Sequence, residues 1–242
     1  MPSRNKNSQR CVAATEGERS LFAASSAEGD IIRRSFRCAF AKLTIPSLPL
    51  PHSTIEGQSP LCNDIAVAAD GTVFVTDSLS GRILRLRRGA GALEVWAQDA
   101  RWNAKGPQLD GIAVLGDGSV YVNLFEGDGL FRVAAQPDGG AGTVTKLRTS
   151  RPLYHSDGMR AAGPNALYMV EGETKGTLDL ISIQGDAATV QTVKDGFHGP
   201  VSLVQVGDTI YVLDVPLKYL FDPQFRSRMP PPFKAVGVNQ PR

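Results

Sequence analysis

Three oxygen-bearing side chains recur at one spacing: Asn63, Asp110 and Asp157 stand 47 residues apart. Each opens a short motif, Asn63-Asp64-Ile-Ala-Val67, Asp110-Gly111-Ile-Ala-Val114 and Asp157-Gly158-Met159. Carboxylate and amide oxygens suit calcium, which takes roughly six to eight oxygen ligands and tolerates irregular geometry. Brought together, such groups would repel one another without a cation between them. Taken singly, Asn or Asp at these positions is better explained as turn chemistry. The recurrence at one repeat position is what points to a ligand set. Two histidines share a second position: His155 lies two residues before Asp157, and His198 two before Pro200, the fourth member of the series. A histidine there could shuttle protons near neutral pH, or it could be an ordinary loop residue.

Other chemistries find little support. No Gly-x-Ser-x-Gly elbow and no phosphate-binding loop is present. Gly89-Ala-Gly91 is too short for a dinucleotide site. The cysteines Cys11, Cys38 and Cys62 form no CxxC pair and are odd in number, so they read as buried or incidental thiols. The net charge of +2 gives no electrostatic case for nucleic acid or an anionic membrane. The basic cluster from Arg82 to Arg88 alternates with Ile83, Leu84 and Leu86, as a strand with a solvated face would. There is no apolar run long enough for a transmembrane helix. Arg4, Lys6 and Arg10 are not followed by an apolar stretch, so no signal peptide is expected, and a soluble, by default cytoplasmic, protein is.

The elements that would hold these residues are short antiparallel strands. Asn63–Val67 and Val73–Asp77 flank Asp70-Gly71, a hairpin signal because glycine accepts positive φ. Ser80-Gly81 then leads into Arg82–Leu86, and Gly89–Gly91 into Leu93–Trp96. The unit repeats from Asp110, through Val120–Val122, Leu130–Val133 and Thr143–Lys146. It repeats again from Asp157, through Leu167–Glu171, Leu178–Ile181 and Thr189–Val193. A fourth copy starts near Pro200 and runs through Ile210–Asp214 before losing regularity. A fifth, partial copy, Leu21–Arg33, aligns without a gap on Val73–Arg85. Four strands in each period of about 43–52 residues are the mark of propeller blades. The expected fold is therefore an all-β propeller of four-stranded antiparallel blades.

Three organisational units are expected: residues 1–20 as a disordered tail, 21–217 as the propeller, and 218–242 as an extended tail. Phe233–Val238 could be a last strand that closes the ring on the first blade. Residues 37–60, rich in proline, match no strand of the other copies. In a propeller the first strand of each blade lines the central channel. Asn63, Asp110, Asp157 and Pro200 would then share one mouth. Asp77, Glu171 and Asp214 end second strands and would face the same mouth, with Leu124 breaking the series. They could act as a base, support the ligands, or cap turns.

The inner-strand openings, with Ser156-Asp157-Gly158-Met159 and Val73-Phe-Val-Thr-Asp77-Ser78, resemble those of the senescence marker protein/gluconolactonase (regucalcin-like) propellers. The resemblance covers roughly residues 60–215, plausibly from 21. It implies a six-bladed ring, of which three full and two partial blades are legible here. Either the ring lacks one blade, or an irregular stretch supplies it. It also implies a divalent cation on the axis, usually calcium, and hydrolysis of lactones or related esters. On that pattern Asn63, Asp110 and Asp157 would be metal ligands. Asp157 or Asp110 would activate water, and His155 and His198 would stand on the rim. The family also uses a glutamate on the first inner strand, where only Glu16 and Glu18 are available. A non-catalytic propeller binding a ligand or partner on its face is the alternative.

Overall fold

The computed structural model describes residues 10–16, 19–25, 61–103, 106, 108–172, 175–225 and 227–241. Strands β1 (Arg10–Glu16) and β2 (Arg19–Ser25) form an antiparallel hairpin. This hairpin crosses the boundary expected at residue 20. Most of the partial copy at 21–33 and the whole of 37–60 lie outside the described residues.

Four blades follow. The first is β3 (Cys62–Val67), β4 (Val73–Asp77), β5 (Arg82–Leu86) and β6 (Glu94–Gln98), hydrogen-bonded in that order. The second is β7 (Leu109–Val114), β8 (Val120–Leu124), β9 (Leu130–Ala135) and β10 (Ala141–Lys146). In the third, β11 (Arg148–Thr149) pairs parallel to the outer strand β15 (Ala187–Phe197). Its other strands are β12 (Ser156–Gly163), β13 (Ala166–Glu171) and β14 (Gly176–Gln184). The fourth blade has β16 (Pro200–Val206), β17 (Thr209–Asp214) and β18 (Lys234–Asn239). A short helix, α1 (Lys218–Phe221), lies in the connection to β18.

Strand β18 departs from the sequence expectation. It pairs antiparallel with β17, from Asp214↔Lys234 to Thr209↔Asn239, as the third strand of its own blade. Among the described residues it pairs with no strand of the first blade. Its alternating Val236 and Val238 pack against the cluster that joins Leu203 and Val212 of this blade to Tyr168 and Val170 of the third.

The hairpins repeat as read. Gly71 and Gly118 have φ of 85° and 79°. The preceding Asp70 and Asp117 each accept the backbone N–H two residues on, at 2.8 and 2.9 Å. Apolar side chains from facing blades then interlock. Phe74, Ile83 and Trp96 of blade one pack on Leu109, Ile112 and Phe131 of blade two. Tyr121 and Leu130 of blade two meet Met159, Met169 and Ile181 of blade three. Tyr168 and Val170 of blade three meet Leu203, Ile210 and Val212 of blade four. Each blade is thus buried by its neighbours rather than by itself.

Two further expectations change. Cys62 is disulfide-bonded rather than a free thiol. Three arginines of the basic cluster are paired within the blade: Arg82 with Asp77 at 2.8 Å, and Arg85 and Arg87 with one carboxylate, Glu94, at 2.7 and 3.1 Å. Arg85 is buried, so that face is not simply solvated. Among the described residues no helix is long and apolar enough to cross a membrane.

Candidate functional site

The first strands β3, β7, β12 and β16 lie side by side around the axis, and each begins at the same mouth. Each carries a register shift at its start: between Cys62 and Ile65, Leu109 and Ile112, Ser156 and Met159, and Pro200 and Ser202. A bulge frees one residue from the ladder and re-aims its side chain. Here the freed residues include Asn63, Asp110 and Asp157. Asp110 and Asp157 stand within hydrogen-bonding reach of each other, and the Asn63 amide reaches Asp110. The structure therefore brings together all three residues expected as ligands.

Polar staples between blades hold this geometry. The Thr76 hydroxyl accepts the Asp64 N–H at 2.9 Å and donates to the Asp110 carbonyl at 2.6 Å. One repeat later, the Asn123 amide accepts the Gly111 N–H and donates to the Asp157 carbonyl, both at 2.7 Å. Both side chains are fully buried. The two staples set how far apart successive first strands begin.

Asp64 is a component that the 47-residue spacing alone does not single out. It occupies the place of Gly111 and Gly158, yet its carboxylate crosses two blade boundaries. One oxygen accepts the Ile112 N–H at 3.2 Å and Arg160 Nη1 at 2.6 Å. The visible signal was its charge where the other copies have glycine. Its partner, 96 residues away, carried no such signal.

Burial dominates the electrostatics. It pushes the Asp110 carboxyl well above the usual range, and the charges of Asp157 and Asp64 push the same way. Burial also pushes Asp157 up to about 7, with Asp64 adding to the shift and hydrogen bonding from Asp110 and the Gly158 N–H opposing it. A carboxyl raised in this way contributes its full stability only below its unfolded value of about 4. That stability is lost as pH rises through the folded value, because unfolding releases the group to ionise in water. Metal-free protein is therefore expected to be less stable at about pH 8 than at about pH 5. The slope is at most roughly 1.4 kcal/mol per pH unit for each carboxyl. Denaturant midpoints in chelator at the two pH values check this, and a flat profile would contradict it.

The donor set also fits a hard cation. Asp110 is 5% exposed and its Oδ1 has no hydrogen-bond partner, an acceptor left over in a group surrounded by other oxygens. Among the described residues, no three His, Cys, Asp or Glu side chains converge as a metal-holding group. The set is two carboxylates and one amide. The side chains of Glu16 and Glu18 lie outside the described residues.

The histidines stand apart from this cluster. His155 adopts φ 46° and stacks on Phe125, with centroids 5.2 Å apart. His198 is 76% exposed, with Nδ1 3.3 Å from Asp214 Oδ2. No described hydrogen bond joins either ring to Asp110 or Asp157. The acidic series has a uniform role: Asp77, Glu171 and Asp214 each accept a backbone N–H, from Leu61, Tyr154 and His198 at 2.9, 2.9 and 2.8 Å. They cap the turn that enters the first strand of their own blade.

No family model matches the chain, and no curated protein is similar to it in sequence. Several solved structures share its fold. Virginiamycin B lyase from Staphylococcus aureus superposes with a TM-score of 0.52 at 15% identity, covering 66% of this chain and 51% of that one. A gluconolactonase-like protein gives 0.51 at 17%, covering 67% and 59%. Luciferin-regenerating enzyme gives 0.52 at 16%, covering 64% and 53%. This chain spans about half the length of these structures. The likeness establishes the β-propeller.

Proposed function

We propose that the chain is a calcium-dependent hydrolase of lactones or related esters, similar in kind to gluconolactonases. The observation that carries the reading is the bulge-built meeting of Asp110, Asp157 and Asn63, with one buried carboxylate oxygen left without a partner. Asn63, Asp110 and Asp157 would hold the cation. When bound, calcium would polarise the substrate carbonyl and stabilise charge developing on its oxygen.

The chain's own residues supply the rest. Asp110 and Asp157 stand side by side, so with both ionised around the cation one of the carboxylates can accept a proton from the attacking water. Water oxygen bonds to the acyl carbon, the carbon–oxygen bond of the ester breaks, and the proton passes to the leaving alkoxide. A serine nucleophile is not required, in keeping with the missing elbow motif. Thr76 and Asn123 act through position, by fixing the backbone of both aspartates. His155 and His198, on the rim, are available to carry to solvent the proton that the acid product releases.

The test is a panel of five- and six-membered lactones and aryl esters, assayed with chelator-stripped protein and after calcium is restored. Activity that disappears with chelator and returns with calcium is expected. A second reading, a propeller that binds a ligand without turnover, is favoured by one observation: no third acidic or imidazole ligand joins the pair among the described residues. Calcium binding with no hydrolysis anywhere in the panel would put that reading first.

A further inference from the structure

On the same mouth as the carboxylate pair lies a cleft of about 410 Å³ between blades two and three. Its floor is buried Leu153, and its walls are Tyr154, His155, Glu126 and Asp128. The His155 ring is stacked on Phe125 at an interplanar angle of 28°. Both rings are tied to the central site. His155 lies two residues before Asp157, and the Phe125 N–H bonds the carbonyl of Gln108, two residues before Asp110, at 2.7 Å. The aromatic pair thus flanks the two strand entries that carry the carboxylates.

The charge at this cleft is one-sided. Asp128 accepts the Leu153 N–H at 3.3 Å, and neither Asp128 nor Glu126 pairs with a lysine or arginine among the described residues. The nearby cation, Arg151, is already committed to Glu171 at 2.6 Å and Asp179 at 3.1 Å. Half-exposed Tyr154 adds a third aromatic face. Aromatic faces beside unneutralised carboxylates attract cations and offer an anion nothing.

We propose that this cleft is the subsite for a cationic group, an ammonium or quaternary ammonium, carried by the ester or lactone substrate. The proposal rests on the hydrolase reading for the word substrate, but the subsite itself can be tested without any reaction. Choline and its neutral isostere 3,3-dimethylbutan-1-ol differ only in nitrogen for carbon. Ligand-observed NMR titrations of the full chain compare them, with melting curves confirming that each variant is folded.

Choline is expected to bind about tenfold more tightly than the alcohol. Glu126→Gln combined with Asp128→Asn should remove that preference, as should Phe125→Leu, whereas Asp157→Asn should retain it. Equal affinity for the two ligands would overturn the proposal. So would a preference that survives the Glu126 and Asp128 changes, or one lost only in Asp157→Asn. Choline binding without hydrolysis of any ester would sink the hydrolase reading and leave the subsite standing. Hydrolysis of neutral lactones without choline preference would do the reverse.

Discussion

Asparagine in place of Asp157 is expected to lower calcium-dependent hydrolysis by at least about 100-fold while raising the melting temperature of the metal-free protein at neutral pH. The two effects have one origin. Asp157 is held in a buried site beside Asp110 and Asp64, where its charge is costly and its pKa rises to about 7. The asparagine amide keeps the shape and removes the charge. Without cation, the variant no longer has to bury a carboxylate that water would ionise, so folding becomes more favourable. With cation, the same change deletes a charged oxygen ligand and a carboxylate that could accept the proton of the attacking water. Initial rates and scanning calorimetry check the two arms. A variant with unchanged rate would remove Asp157 from the chemistry. One with a lower metal-free melting temperature would mean that the carboxylate stabilises the fold by other means.

Alanine at Gly111 or Gly158 is expected to cost roughly 2–4 kcal/mol of stability. A Cβ on Gly111 would stand 2.5 Å from the Asp157 carbonyl oxygen and 3.0 Å from Met159 Cβ. On Gly158 it would meet Ser202 Cα at 2.8 Å and the Val201 carbonyl oxygen at 2.9 Å. These are mostly backbone atoms of the next blade, which cannot rotate aside. The blades must separate at the axis, where the staple from Asn123 and the carboxylate pair both depend on their spacing. Gly163→Ala is the control, because nothing lies within 4 Å of its Cβ position. Urea midpoints for the three variants decide the matter. Equal, small losses would mean that blade contact at the axis is looser than these distances require.

Much of the fold was legible because its signals are local. Asp70-Gly71 and Asp117-Gly118 announce hairpins through turn chemistry, and alternation in Val73–Asp77 announces a strand. The 47-residue interval put Asn63, Asp110 and Asp157 on one mouth, and the structure joins them. What escaped depends on pairs of strands rather than on single ones. A bulge is a property of register, so the shifts that aim these residues leave no mark in either strand alone. Thr76 and Asn123 look like ordinary strand residues until the carbonyl of the next blade is set beside them. Strand β18 was legible as a strand at Phe233–Val238, but nothing in Lys234–Asn239 names β17 as its partner. Arg160 gave no hint of Asp64, since both lie on separate blades and meet only across the axis.

The central claim is that Asn63, Asp110 and Asp157 form a cation site, and calorimetric titration of chelator-stripped protein with calcium tests it most directly. Binding at about one calcium per chain is predicted, accompanied by proton release because the buried pair must ionise to coordinate. Both the heat and the proton release should vanish in Asp110→Asn combined with Asp157→Asn. A cooperatively melting wild-type protein that takes up no calcium, or a double variant that binds it as well as wild type, would contradict the account.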